Sequence, residues 1–469
     1  MTGSRPNVVY VMTDTLRTAF LGCYGNETVR TPNIDRFAAR SVLFTRAYPE
    51  SLPTIPVRRA MHTGRRAYPF RDYRPVKWDI VYLPGWQAID RTEDTLAENL
   101  AGAGYHTGFV TDTIPYFAPG FNFQRGFWQW HYARGLQQDR FASVHTVTDE
   151  DLARYHRPGG GEEALHGNVR YHIANSKGRL RERDTTTAEV FRWAMEFVED
   201  NRHAEPFYLL IDSFRPHEPW EAPARYHELY SDPEYDGPII PHARYQPMDE
   251  QGMSDAMLAD VVAHYSGLVT LVDTWFGMLM DTLERLELLD NTLVIFTSDH
   301  GTHFADNPQR VVGKPHYSLW PGVMSLPLLM HLPGGAHGGC VADDLVYNLD
   351  TTATIYDAAG ISDHQPIDGQ SLVPLLTGDG VWSPREYVTC RYGDSLACID
   401  DDWWVRTSVS GEPGEAFALD GDPFCQEDLV RELPPDVFDR AWQRLLADAG
   451  GDLPTYDNPR RTDAVGLRY

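Results

Sequence analysis

Near its start the chain carries an unbroken apolar run, NVVYVMTD (7–14), that ends on a threonine and an aspartate. A short valine-rich run of this kind reads as a strand buried on both faces. TLAENLAGAGYHTGFVTD (95–112) gives an amphipathic helix, a glycine stop and a second apolar strand. The same alternation returns in TAEVFRWAMEFVED before PFYLLIDSF, and in a helical pattern from about Met257 to Leu288 before NTLVIFTSDHG. Repeated helix-then-strand units predict an α/β fold, a large and mostly parallel sheet sandwiched by helices. In such sheets ligands gather beyond the carboxyl ends of the strands, and Asp14, Asp212 and Asp299 all stand at such ends.

Two long stretches, about 115–185 and 221–255, are rich in aromatic residues, proline and charge and lack periodicity. Loops of that length commonly carry substrate contacts or lids. From about Arg385 the texture changes to short alternating segments broken by Gly and Asp, followed by the helical PPDVFDRAWQRLLADAG. This predicts a large domain over 1–380 and a C-terminal domain over 381–469, built from a small antiparallel sheet and a helix.

Composition narrows the function classes. The 469 residues are 42 % hydrophobic and 23 % charged, a globular profile. No run of about 18 apolar residues appears, so no membrane span is expected. Sixty-seven acids against 41 bases give a formal charge of −26, which argues against a nucleic-acid partner. The expected partner is a small anionic ester held at a local positive site, and a homo-oligomer is compatible with the sequence. Five scattered cysteines without CxxC spacing, and no leader-like N-terminus, point to a cytoplasmic protein with reduced thiols.

Candidate chemistry gathers on three stretches. Asp14 closes the first strand and Asp299-His300-Gly301 closes a later one, so carboxylates and an imidazole at neighbouring strand ends can hold a divalent cation. TIPVRR (54–59) places Thr54 just before a helix expected over 56–64, with Arg58 one turn along. A hydroxyl near a helix start and beside a metal can become a nucleophile, and Arg58 can offer a forked pair of donors to a tetrahedral anion. The competing reading is an N-cap threonine and a surface arginine.

In order along the chain stand NVVYVMTD, LGCYGN, TPNIDRFA, T-x-P-x-R…HTG, LAENLAGAGYHTGFVT, PHEPW, NTLVIFTSDHG and FALDGDP. Together they make the sequence resemble the sulfatase and phosphonate monoester hydrolase branch of the alkaline phosphatase superfamily, over roughly residues 6–425. The resemblance implies a metal site of Asp14, Asp299 and His300 with Thr54 contributing, Thr54 as nucleophile and Arg58 as its companion arginine. It implies His217 of PHEPW as general acid to the leaving group. A later substrate-binding basic residue falls on Lys314 by chemistry or on His316 by counting back from Pro327.

Three positions depart from that pattern. Thr54 stands where sulfatases carry the Cys or Ser that becomes formylglycine, and threonine cannot give the same aldehyde. Thr15 stands where many members have a second metal-binding carboxylate or Gln. Asp112 stands where sulfatases have a sulfate-binding lysine. The expectation is therefore a metal-dependent hydrolase of phosphate or phosphonate esters, diesters above all, acting through a phosphothreonine. One divalent ion is expected, Mn²⁺ or Ca²⁺ ahead of Zn²⁺. The alternatives are a sulfuric ester hydrolase, a phosphoryl transferase, or a non-catalytic binding protein on the same scaffold.

Overall fold

The computed structural model of the protein describes residues 5–74, 81, 83–118, 120–137, 139–158, 168–179, 181–204, 206–378 and 380–456. Its centre is a nine-stranded sheet. The order across it is Val341–Ala342, Val42–Tyr48, Leu326–His331, Thr292–Ser298, Asn7–Asp14, Phe207–Pro216, His106–Thr111 and Gln129–Tyr132, with Val346–Tyr347 also pairing to Val42–Tyr48. Leu326–His331 runs antiparallel to both of its neighbours, and the other pairings are parallel.

The first strand shows why its run had to be apolar throughout. Successive side chains of a strand point to opposite faces. Val8, Tyr10 and Met12 enter a core under the helices Thr54–Thr63, Leu96–Gly102 and Asp350–Ala358. Val9 and Val11 enter another under Pro32–Ala38, Thr186–Asn201 and Asp255–Arg285. The last of these helices is long and apolar enough to cross a bilayer, but here its apolar residues pack on the sheet.

A smaller five-stranded sheet follows the order Pro413–Ala418, Trp403–Ser408, Ser395–Ile399, Val388–Tyr392 and Ser51–Leu52. Four of its strands are antiparallel, as the sequence pattern suggests, and the helix Pro435–Asp448 covers them. The fifth, Ser51–Leu52, comes from the other end of the chain and pairs in parallel with Arg391 and Tyr392. It immediately precedes Thr54, so the C-terminal sheet is hydrogen-bonded to the backbone that delivers that residue. A third sheet joins Gln246–Pro247, Val311–Gly313 and His303–Phe304.

Close approach of helix and sheet is visible at Gly108, where an added Cβ would lie 2.4 Å from the Phe197 ring. Gly108→Ala is expected to destabilise the protein by about 1–3 kcal/mol, read as a lowered thermal midpoint with the circular dichroism of the folded state retained.

Candidate active site

Thr54 opens a buried helix, Thr54–Thr63, whose N-cap is Pro53 and whose end is turned by Gly64 in the left-handed conformation. The helix begins two residues earlier than the expected Pro56. Its threonine is not a cap: no side-chain capping bond exists, and Oγ1 instead faces His300 Nε2 at 3.4 Å. The N-cap reading of the TIPVRR stretch is thereby removed, because a hydroxyl satisfying its own helix would turn back to the backbone.

Three buried side chains, two carboxylates and an imidazole, meet at the strand ends beyond Thr54. Ligand atoms of Asp14, Asp299 and His300 all lie within 4.8 Å of one another. Arg58, one helical turn from Thr54, lies among them. Its Nε and Nη2 form a fork to Asp212 at 2.9 Å each, its Nη1 donates to Asp299, and Nη2 lies 3.1 Å from Asp14. Nη1 also reaches the Thr54 carbonyl at 3.3 Å. The fork foreseen for a substrate anion is thus taken by Asp212, because that carboxylate reaches the guanidinium edge with ideal bidentate spacing. Thr113 and Tyr116 hydroxyls donate to the same carboxylate. Burial works against the Arg58 charge, but Asp212 and then Asp299 outweigh it and hold the guanidinium well above its usual range.

The donor set fits a divalent cation. Both Asp14 carboxylate oxygens are buried without a hydrogen-bond partner. Burial, and next the Asp299 carboxylate, push the Asp14 carboxyl well above its usual range, as expected of a group that needs a cation to ionise fully. The His300 Nδ1–H donates to the Gly301 carbonyl at 2.9 Å, which leaves the Nε2 lone pair facing the site. Ligating imidazoles are usually oriented by such a bond. Burial lowers the His300 pKa to about 4, so the ring is neutral at physiological pH. The Thr15 hydroxyl is also buried without a partner, while its N–H donates to Asp299 at 3.1 Å.

His217 stands on the far side. Its Nδ1–H donates to the Glu218 carbonyl at 2.6 Å, and Nε2 lies 3.9 Å from Asp14. The ring stacks on Phe214, and burial, then Lys314, hold its pKa well below the usual value. Of the two alternatives for the later basic residue, Lys314 is buried and pairs with Glu218 beside His217. His316 lies instead next to Gly393 of the small sheet, its ring edge-on to Tyr317. Asp112 does not face the site as an anion-binding lysine would. It accepts the Phe214 N–H at 2.6 Å and ties two strand ends together, and burial raises its pKa to about 6.

Asp212 and Glu218 join the cluster without having been assigned a part from the sequence. Asp212 left a signal, a third aspartate after an apolar run, although its strand continues to Pro216, whereas nothing in PHEPW marks Glu218. A second group, His227, Asp260 and His264, lies apart from the cluster. There the Ala222 N–H donates to His264 Nδ1, so the neutral ring keeps its proton on Nε2 and offers no second lone pair to a metal.

The chain belongs to the sulfatase family, whose family model matches residues 6–361, and it is an ester hydrolase. It is 25 % identical to an arylsulfatase of Clostridium perfringens over 89 % of each chain. To a choline-sulfatase of Rhizobium meliloti it is 25 % identical, over 97 % of this chain and 89 % of that one. Among solved structures it resembles the phosphonate monoester hydrolase of Agrobacterium radiobacter, with a TM-score of 0.70 at 20 % identity and 95 % of both chains covered.

Asp112 generates a prediction independent of catalysis. A carboxyl whose pKa rises to about 6 on folding binds more protons folded than unfolded, so its contribution to stability falls as pH climbs from about 4 to 6. Asp112→Asn keeps an acceptor for Phe214 N–H and is expected to stabilise the protein at pH 8 by on the order of 1–3 kcal/mol. The gain should vanish near pH 4, which melting curves at the two pH values would read.

Proposed function

We propose that the protein hydrolyses phosphate diesters or phosphonate monoesters through Thr54, with one divalent ion, Mn²⁺ or Ca²⁺ ahead of Zn²⁺. The observation that carries this reading is the Thr54 hydroxyl, free of any capping role and turned to His300 and the carboxylates. Threonine bears a methyl group on Cβ, so its oxidation would give a ketone and not the formylglycine aldehyde. An oxygen nucleophile that stays an alcohol suits phosphorus esters, which leave a stable phosphothreonine.

Asp14, Asp299 and His300, with Thr54, would hold the ion. When bound, it supplies positive charge that lowers the pKa of the Thr54 hydroxyl and draws the anionic ester in. Thr54 Oγ1 attacks phosphorus as its proton leaves to solvent. The bond from phosphorus to the leaving oxygen breaks, and His217 Nε2 protonates that oxygen. His217 is neutral when buried beside Lys314, and an anionic ester next to Nε2 favours the imidazolium it needs. Water then splits the phosphothreonine and restores the hydroxyl. Arg58 holds Asp14, Asp212 and Asp299 in register, and Lys314 is the substrate-facing cation. The five free cysteines support a reducing, cytoplasmic setting.

The second reading is sulfate ester hydrolysis by the unmodified threonine, favoured by the arylsulfatase and choline-sulfatase relatives. A matched set of p-nitrophenyl esters separates the two: phosphate monoester, phosphate diester, phosphonate monoester and sulfate, with Mn²⁺-loaded protein. Diester and phosphonate are expected to turn over fastest, and sulfate as the best substrate would overturn the phosphorus reading. Thr54→Ala should lose about 10³-fold or more in kcat, as expected for a nucleophile, whereas Thr54→Ser should retain activity. Chelation should abolish turnover, and Mn²⁺ should restore it.

A further inference from the structure

The reaction above leaves Glu218 without a part, yet Glu218 touches two of the groups it uses. Its carboxylate oxygens both lie 3.3 Å from the Lys314 ammonium. Its carbonyl accepts the His217 Nδ1–H, and its Oε2 lies 3.4 Å from the same nitrogen. Both members of the ion pair are buried, Glu218 1 % and Lys314 4 % exposed. A buried pair repays its desolvation poorly, so it is weak as a device for stability alone. Lys314 is held from other sides as well: its carbonyl accepts the Tyr392 hydroxyl, and its ammonium lies over the Tyr245 ring.

The consequence is a charge limit. Arg58 is matched by Asp212, Asp299 and Asp14, and Lys314 by Glu218. Both cations of the cluster are therefore neutralised by carboxylates before any substrate arrives. A singly charged ester group needs no further protein cation, whereas the second charge of a phosphate monoester meets neither Arg58 nor Lys314 free of a carboxylate among the described residues.

We propose that Glu218 is a specificity-determining residue which, by neutralising Lys314 beside His217, sets the site for singly charged ester groups and against doubly charged phosphate monoesters. The proposal rests on the preceding reading in taking Lys314 as the substrate-facing cation. It does not depend on Thr54 chemistry, because phosphate diesters, phosphonate monoesters and sulfate esters all carry a single charge.

Binding to Mn²⁺-loaded Thr54→Ala protein tests it without turnover. Calorimetry at pH 8 would compare inorganic phosphate, mainly dianionic, with dimethyl phosphate, a monoanion, with and without Glu218→Gln. Freeing the Lys314 charge is expected to tighten phosphate binding by about tenfold or more, with dimethyl phosphate changed by less than about threefold. Glu218→Asp should keep the parental preference, which distinguishes a charge effect from damage to the fold. Equal changes for both anions, or no binding of either to the parent, would overturn the proposal. Failure of the Thr54 reading would show separately, in the ester panel, and would leave this comparison intact.

Discussion

A single guanidinium organises the site. Arg58 is fully buried, yet it is shared by Asp212, Asp299 and Asp14, which come from three strands adjacent in the large sheet. Removing one partner from a buried ionic group costs several kcal/mol, so the helix carrying Arg58 and the three strands are tied to one arrangement. Thr54 is on that helix, one turn away, and its position is fixed by the same constraint. The carboxylates outnumber the cation they surround, and this surplus makes the cluster suited to a divalent ion.

The site also depends on parts of the chain remote from it in sequence. Ser51–Leu52, the two residues before cis-Pro53 and Thr54, pair with the first strand of the C-terminal sheet. Tyr392, which pairs with Leu52, reaches further, since its hydroxyl bonds the Lys314 carbonyl. The segment between the helix Val373–Thr377 and the strand Val388–Tyr392 contains the expected boundary at residue 380. The small sheet on its far side is nonetheless paired with Ser51–Leu52 and hydrogen-bonded to the Lys314 backbone, so it is part of what holds the site rather than an appendage.

The departures from the sulfatase pattern have physical counterparts. Asp112 in place of a lysine is turned into the protein, where it bonds a backbone N–H of the strand carrying Asp212. Thr15 adopts a left-handed φ of 62° and spends its N–H on Asp299, leaving its hydroxyl buried and unpartnered. Neither side chain is among the ion-pair partners of Arg58, which are Asp14, Asp212 and Asp299.

Much of this was legible in the sequence because it is local. A valine-rich run must be a strand covered on both sides, a carboxylate at its end must sit at the sheet's edge of function, and T-x-P-x-R must put Thr and Arg one turn apart. Those relations depend only on strand and helix periodicity. The tertiary structure alone decided which acceptor takes the Arg58 fork, that Lys314 and not His316 turns to the cluster, and that Glu218 stands between Lys314 and His217. These meetings join groups remote in sequence, Arg58 and Asp212 by 154 residues and Lys314 and Glu218 by 96, and are set by strand order and by the path of aperiodic loops. Neither leaves a repeating pattern along the chain, because loop geometry follows from packing against the sheet and not from the spacing of apolar residues.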